Sequence, residues 1–242
     1  MIKKDTASAW EVQKELEQIK PFWLAIDGPA GSGKSTVARY ASERLKLPCI
    51  NTGLVYRLVA YKLMQEKRDL SEHAEIEALV SKLTLACSNK GLILPHNNSD
   101  GLYQDDVSLL TPKIAGLPGV RELVTKKLQL IAAERALIME GRDIGTVVLP
   151  TAELKLFITA ALAVRVKRRA AQLARCGIHI ELDKLHERIS QRDRLDQTRK
   201  NAPLMRAKDA VIVDTTELSE KDVVDKVVQL VQVALAKREE CL

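Results

Sequence analysis

The sequence predicts an α/β fold in which a mostly parallel sheet carries helices on both faces. Five short apolar runs are continuous rather than alternating, as expected of strands buried on both faces. Longer amphipathic segments separate them, and this alternation is typical of parallel sheets. The runs cover residues 22–26, 49–50, 136–139, 154–158 and 210–213.

The segments between these runs have helical periodicity. The first helix is expected after Lys34, and others from about residue 120 and over residues 163–175, 182–195 and 220–236. Ser219 and Asp222 have the spacing of a capping box before the last one. The active site of such a sheet is expected beyond the carboxyl ends of its strands.

Residues 83–107 interrupt the alternation. Three short runs, 83–86, 92–94 and 102–107, are separated by turn-rich stretches, which predicts a small antiparallel insert. Residues 1–20 precede the first strand and are expected to form a short helix carrying Trp10, Leu16 and Ile19.

Composition excludes several classes of protein. The chain has 242 residues, of which 46% are hydrophobic and only 3% aromatic, so the core should be aliphatic and a base-stacking platform is disfavoured. Its four cysteines and four histidines are scattered, which predicts neither a zinc site nor a disulfide framework. No run approaches the ~20 apolar residues of a membrane span, and we expect a soluble, cytoplasmic protein.

A phosphate-binding loop follows the first predicted strand. Residues 28–35 match G-x-x-x-x-G-K-[ST] between a strand and a helix, as this motif requires. Its glycines let consecutive N–H groups face one anion, Lys34 reaches the β- and γ-phosphates, and Ser35 offers a hydroxyl to Mg²⁺. The predicted nucleotide contacts are Gly28, Pro29, Ala30, Gly31, Ser32, Gly33, Lys34, Ser35 and Thr36.

Other motifs separate a kinase from a GTPase or a motor ATPase. The base-reading Asn-Lys-x-Asp of GTPases is absent, because Asn89-Lys90 continues with Gly-Leu. The strand that ends at Ile158 carries no terminal acid, and Glu140 is the nearest candidate for that role. These absences favour a kinase of a small molecule.

Arginines cluster where such a kinase would hold its acceptor. Arg57 and Arg142 follow predicted strands, and Arg192, Asp196 and Arg199 have spacings that place them on one helical face. Planar guanidinium groups pair bidentately with phosphate oxygens. Arg165, Arg175 and Arg188 are interpreted equally well as solvated surface charges.

At these residues the chain resembles bacterial cytidylate kinases from about residue 22 to residue 235. The resemblance is carried by Thr52-Gly53-x-x-Tyr56-Arg57, by residues 141–148, and by the Arg192, Asp196 and Arg199 set. It implies a five-stranded parallel core, an antiparallel monophosphate-binding insert over about 62–118, and a helical lid over about 163–177. Residues 21–242 would form one kinase domain after an extension of residues 1–20.

The resemblance also implies roles for individual residues. Arg57, Arg142 and Arg192 would grip the phosphate of CMP or dCMP, Asp196 would hold the sugar beside Thr52, and Arg121 and Asp143 would read the cytosine edge. Arg168 would close on ATP from the lid, and Arg199 would bridge toward the transferred phosphate. Lys34, Arg142, Arg192 and Arg199 would be the catalytic set. ATP with Mg²⁺ would be the donor, and a monomer binding neither nucleic acid nor membrane is expected.

The sequence departs from the family pattern in the insert. Pro112 aligns with a serine that the family uses to read the base, and the stretch before it is shorter, so Thr111 is a candidate substitute. Asn51 and Glu140 stand where aspartate is common. The alternatives are a kinase of another small acceptor such as UMP or, less favoured by the arginine placement, a P-loop NTPase that binds nucleic acid.

Overall fold

The computed structural model describes residues 21–89, 91–94, 100–175 and 177–239. The helix expected over residues 1–20 lies outside this part of the chain. The strands are β1 Trp23–Asp27, β2 Cys49–Asn51, β3 Ala86–Ser88, β4 Gly91–Ile93, β5 Leu137–Gly141, β6 Leu154–Thr159 and β7 Val211–Asp214. All five predicted core strands are confirmed.

The helices confirm the predicted alternation and add elements around the insert. They are α1 Lys34–Leu45, α2 Thr52–Gln65, α3 His73–Lys82, α4 Asp105–Ile114, α5 Pro118–Ala133, α6 Leu162–Arg175, α7 Leu182–Thr198 and α8 Glu220–Glu239. The predicted capping box before α8 is present, because the Asp222 N–H donates to Ser219 Oγ at 3.2 Å and the Ser219 N–H donates to Asp222 Oδ2 at 3.3 Å.

The main sheet is fully parallel, with strand order β2-β5-β1-β6-β7. Strand β1 is central, between β5 and β6, and β5 separates it from β2, the next strand in the chain. The carboxyl ends of β1, β2 and β5 therefore lie side by side, and ligand sites form at such a place in open α/β sheets.

Apolar side chains pack on both faces of this sheet. Helices α2, α3, α4 and α5 contribute to one buried cluster, and α1 and α8 contribute to the other. Helices α6 and α7 form a hairpin with a separate small cluster of Val166, Leu185 and Ile189. The described residues thus form the three layers that the alternation predicts, with a hairpin that has its own core.

The insert is only partly antiparallel. Strands β3 and β4 pair antiparallel, as predicted, and Gly91 at the start of β4 packs against the backbone of Cys49 in β2. The prediction that the third run, residues 102–107, is extended is wrong. Leu102 lies in a 3₁₀ turn, Asp100–Tyr103, and Val107 lies in α4. Val107, Thr111 and Ile114 are buried at helical spacing, and Asp105 favours a helix start there.

Among the described residues, no helix is both long enough and apolar enough to cross a membrane.

Candidate active site

The phosphate loop connects β1 to α1 and has the backbone that its glycines allow. Gly28 has φ +149°, and a Cβ at this position would overlap the carbonyl oxygen of Ile158 on β6. Gly33 has φ +93° and caps α1, whose first turn contains Ser35 and Thr36. Backbone positions with positive φ favour glycine, because it has no Cβ, and both positions of this loop are therefore suited to glycine.

Lys34 is buried beneath the loop. Its Nζ donates to the carbonyl oxygen of Pro29 at 2.6 Å and lies 3.4 Å from Ser32 Oγ. Burial, followed by the positive charge of Arg142, lowers the pKa of Lys34. The ammonium group is therefore enclosed by the loop that would surround a phosphate.

Glu140, at the end of β5, lies beside the loop. Ser35 Oγ donates to Glu140 Oε2 at 2.9 Å, and burial raises the pKa of this carboxyl. An acid therefore does lie near the end of a buried strand next to the loop serine, and it is Glu140, which the sequence analysis named as the nearest candidate. A hydroxyl and a carboxylate are hard oxygen ligands, and Mg²⁺ typically uses one or two protein ligands together with substrate phosphates. These residues fit that ion.

Asp27 is a site residue that the sequence analysis missed. It ends β1 directly before Gly28, and its carboxylate accepts the N–H groups of Ile144 at 2.8 Å and Gly145 at 2.7 Å. Burial raises the pKa of Asp27 to about 6. An acidic residue that ends a central strand before a phosphate loop was the available signal, and its two partners were not visible in the sequence.

A buried cluster of acids and arginines lies beyond β5. Arg142 Nε donates to Asp196 Oδ2 at 2.9 Å, and Arg199 Nη1 lies 3.4 Å from Asp196 Oδ1. Burial alone would raise the pKa of Asp196, but Arg142, Arg192 and Arg199 together hold it below its ordinary value. Arg199 follows the end of α7 rather than lying within it. Tertiary folding therefore brings residues from two distant segments together.

Arg121 and Asp143 form a second buried ion pair beside this cluster. Arg121 also donates to the carbonyl oxygen of Ala115 at 2.9 Å, and its guanidinium lies 5.6 Å from the centre of the Tyr56 ring. Burial raises the pKa of Tyr56 to about 12. Arg199 Nη2 lies 3.9 Å from Asp143 Oδ1, so the pair that the resemblance assigns to the base lies next to the arginine cluster.

Arg192 carries a positive charge that the protein only partly compensates. Burial and then the charge of Arg142 lower its pKa to about 10, with Arg57 and Arg169 adding to the effect and Asp196 opposing it. Four arginines therefore influence one another here, and an anion would relieve their repulsion.

Several buried polar atoms of this region have no hydrogen-bond partner within the described residues. Leaving such an atom unpaired costs about 1–3 kcal/mol, which a bound ligand can recover. These atoms are Arg121 Nε, Asp143 Oδ2, Thr146 Oγ1, Arg192 Nε and Arg199 Nη2.

Arg57 is held by the insert. Its Nη1 donates to the carbonyl oxygen of Leu102 at 2.8 Å and to Ser108 Oγ at 2.9 Å, and the ring centre of Tyr103 lies 5.2 Å from its guanidinium. Burial lowers the pKa of Arg57. The insert therefore orients an arginine that the sequence analysis placed on the acceptor.

The two threonines named for the acceptor use their hydroxyls within the protein. Thr52 Oγ1 donates to the carbonyl oxygen of Glu140 at 3.0 Å, joining the ends of β2 and β5. Thr111 Oγ1 donates to the carbonyl oxygen of Val107 at 2.6 Å, inside α4. Each hydroxyl therefore donates its proton to a backbone carbonyl oxygen of the protein and has only acceptor capacity left for a ligand.

The remaining arginines divide between the phosphate loop and the surface. Arg168 donates to Thr215 Oγ1 at 2.8 Å and to the Thr215 carbonyl oxygen at 2.7 Å, and Thr215 Oγ1 donates to the carbonyl oxygen of Ser32. Arg165 is buried, so a solvated surface role is wrong for it. Arg188 is exposed and pairs with Asp105, and Arg175 is exposed.

Comparisons with known proteins identify the family of the chain. The cytidylate kinase family model matches residues 24–233. A cytidylate kinase of Alkaliphilus oremlandii is 37% identical over 86% of this chain and 97% of its own, and one of Lysinibacillus sphaericus is 38% identical over 88% and 97%. A crystal structure of an uncharacterized protein from Eubacterium ventriosum has a TM-score of 0.52 at 11% identity, covering 87% of this chain and 98% of its own, and shows the fold alone. The chain belongs to the cytidylate kinase family.

Proposed function

We propose that this protein transfers the γ-phosphoryl group of ATP to CMP and dCMP, giving CDP and dCDP. The observation that carries the proposal is a set of buried atoms without hydrogen-bond partners on Arg121, Asp143, Arg192 and Arg199. Arg142 and Arg192 of the same cluster lie near enough to the loop to lower the pKa of Lys34. These atoms call for a ligand that carries both an anionic phosphate and a polar base edge.

The donor would lie on the phosphate loop. Backbone N–H groups and the amino end of α1 favour a polyphosphate, and Lys34 would exchange its bond to the Pro29 carbonyl for phosphate oxygens. Ser35 and Glu140 would hold Mg²⁺ when it is bound, and the ion would then neutralise charge between the β- and γ-phosphates. Arg168, next to Gly33, would approach the ATP phosphates from the lid.

The acceptor phosphate would lie among Arg57, Arg142 and Arg192. Joining two polyanions requires strong charge compensation, and the negative charge of the transferred group is spread over its equatorial oxygens. Arg199, whose Nη2 has no hydrogen-bond partner and lies 3.9 Å from Asp143 Oδ1, would extend this compensation toward that group. A phosphate monoester has a second pKa of about 6 and is largely ionised at neutral pH, so no general base is required.

Asp143 and Arg121 would select cytosine over uracil. The exocyclic amine of cytosine is a hydrogen-bond donor that suits the unpaired Asp143 Oδ2, whereas uracil presents an acceptor at the same place. Arg121 would donate to the acceptors on the ring. Asp196 would contact the sugar, and Thr52 lies near it as a wall of the pocket.

The lid would close over ATP, with Arg168 as its contact to the phosphates. Such closure would exclude water from the ATP phosphates and so prevent wasteful hydrolysis. We further propose that the enzyme acts in the cytoplasm as a monomer and does not require nucleic acid.

The testing experiment is steady-state ADP formation from MgATP with CMP, dCMP, UMP, AMP and GMP measured separately. We expect turnover with CMP and dCMP, weak turnover with UMP, and none with the purines. Asp143→Asn should reduce the preference for CMP over UMP by about tenfold or more, because the amide offers both a donor and an acceptor. Equal turnover of UMP and CMP by the wild type would contradict the proposed selection of cytosine by Asp143 and Arg121. No turnover of any monophosphate would overturn the proposed acceptor.

A further inference from the structure

The phosphate loop is held from outside by a buried ion pair. Arg165 on α6 and Asp193 on α7 are 7% and 8% exposed and form a salt bridge. Arg165 Nη1 also donates to the carbonyl oxygen of Ala30 at 2.9 Å, and Asp193 Oδ1 accepts the N–H of Ala30 at 3.2 Å. The pair therefore binds Ala30 through both of its backbone polar groups.

The backbone of α6 also lies directly against the loop. A Cβ on Gly31 would be 3.1 Å from the carbonyl oxygen of Arg165 and 3.2 Å from its Cβ, closer than most side-chain contacts. Arg165 is further anchored by donation from its Nε to the carbonyl oxygen of Ala160 at 3.0 Å. Hydrogen bonds from both Nε and Nη1 thus hold the guanidinium of Arg165 in place without a bound nucleotide.

Helix α7 connects this pair to the acceptor residues. Asp193 follows Arg192 directly and lies three residues before Asp196, so one turn of helix contacts both the loop and the arginine cluster. The α6–α7 hairpin has its own apolar cluster, separate from the two clusters of the sheet. Polar bonds at Ala30 are therefore a principal attachment between the hairpin and the phosphate loop.

We propose that Arg165 and Asp193 are positioning residues for the phosphate loop, and that their ion pair holds the Ala30 backbone so that the loop keeps the shape that binds ATP. The Ala30 N–H is engaged by Asp193, so its role is to fix the loop rather than to bind phosphate. This inference deepens the proposed function and rests on it through the binding of ATP alone.

The first test is the affinity for MgATP, measured by calorimetry without acceptor, for the wild type, Asp193→Asn and Arg165→Gln. Each substitution leaves the other group buried without its charged partner, and a charged hydrogen bond contributes enough to change affinity by about tenfold or more. We expect the Kd for MgATP to rise by this factor in both variants. In turnover assays, the KM for ATP should rise and the KM for CMP should stay close to that of the wild type.

The double variant Arg165→Gln/Asp193→Asn tests whether the two residues act together. Residues that share one function show non-additive losses. We expect the double variant to bind MgATP no worse than the weaker of the two single variants. Fully additive losses would contradict a shared role.

Asp209→Asn is the matched control. It removes the carboxylate that pairs with the buried Lys155, 2.7 Å away. The hydrogen bonds of Lys155 Nζ within the described residues are to Asp209 and to the carbonyl oxygen of Pro150, neither of which belongs to residues 28–35. We expect a lower Tm with an unchanged Kd for MgATP.

If Asp193→Asn and Arg165→Gln likewise lower only the Tm, the pair is structural and the proposal is overturned. If Asp193→Asn does not fold, Arg165→Gln decides the same question. If the wild type binds MgATP but does not phosphorylate CMP, the acceptor assignment fails while the comparison of affinities still decides this proposal.

Discussion

The proposed donor half and the proposed acceptor half of this site are built in different ways. The donor half is mainly one continuous segment, residues 28–35, whose backbone turns at glycines and is held at Ala30 by Arg165 and Asp193. The acceptor half combines side chains from α2, α5, the end of β5 and α7, and its charges are compensated only in part by one another. The donor half therefore depends on local backbone geometry and one ion pair, whereas the acceptor half depends on the packing of four elements.

Asp27 lies where the two halves meet. It belongs to the strand that leads into the phosphate loop, and it binds the backbone of the turn that follows Arg142 and Asp143. This buried carboxylate therefore helps, together with the pairing of β1 and β5, to set the position of Arg142 and Asp143 relative to the loop. Substitutions in the donor half, at this joint and in the acceptor half should have distinguishable effects.

Lys34→Ala should have the largest effect, because it removes the charge enclosed by the phosphate loop. Loss of one group that stabilises a transition state costs about 10²–10³ in kcat, and we expect a loss of at least this size. Steady-state turnover of CMP with saturating MgATP measures it, and the Tm serves as the control for folding. An unchanged kcat would show that the donor half does not work as described.

Asp27→Asn should change the pH dependence of stability. The pKa of Asp27 is about 6 in the folded protein and 3.8 as its ordinary value, so the folded state binds the proton more tightly. Stability of the wild type relative to the variant should therefore fall as pH rises from about 4 to about 6, by on the order of 3 kcal/mol. Urea unfolding across this range measures the difference. A difference that does not vary with pH would contradict the burial of an ionisable carboxyl at the joint.

Arg192→Ala should affect the acceptor half selectively. We expect the KM for CMP to rise by about tenfold to a hundredfold, in line with the loss of a charged hydrogen bond, with little change in the KM for ATP. Arg188→Ala is the control, because Arg188 lies one turn earlier on α7 and forms an exposed pair with Asp105. Equal increases of both KM values would place Arg192 outside the acceptor half.

The core of the fold could be predicted because burial on both faces of a parallel sheet leaves continuous apolar runs. All five runs became strands, and the phosphate loop lies between β1 and α1 as its motif requires. The prediction of a strand over the third run of the insert, residues 102–107, was wrong because the run is too short to show its own period. Only Leu102 and Val107 of that run are deeply buried on the core side, and the spacing of Val107, Thr111 and Ile114 indicates a helix once the following residues are included.

The arginines could be predicted as a group but not one by one. Arg165 and Arg188 had the same sequence interpretation, yet Arg165 is buried against the phosphate loop and Arg188 is paired at the surface. Helical spacing describes which residues share a face, and it contains no information about what that face contacts. The packing of α6 against Gly31 made the difference.

The sequence by itself determined the parallel core, the phosphate loop and the family, because each depends on local pattern or on short motifs. Only the tertiary structure decided which charges pair: Arg142 with Asp196, Arg121 with Asp143, and Arg165 with Asp193. These partners are separated by at least 22 residues in the chain. Long-range pairing depends on how elements pack in three dimensions, and desolvation makes the outcome decisive, since a buried charge needs a partner while an exposed one does not.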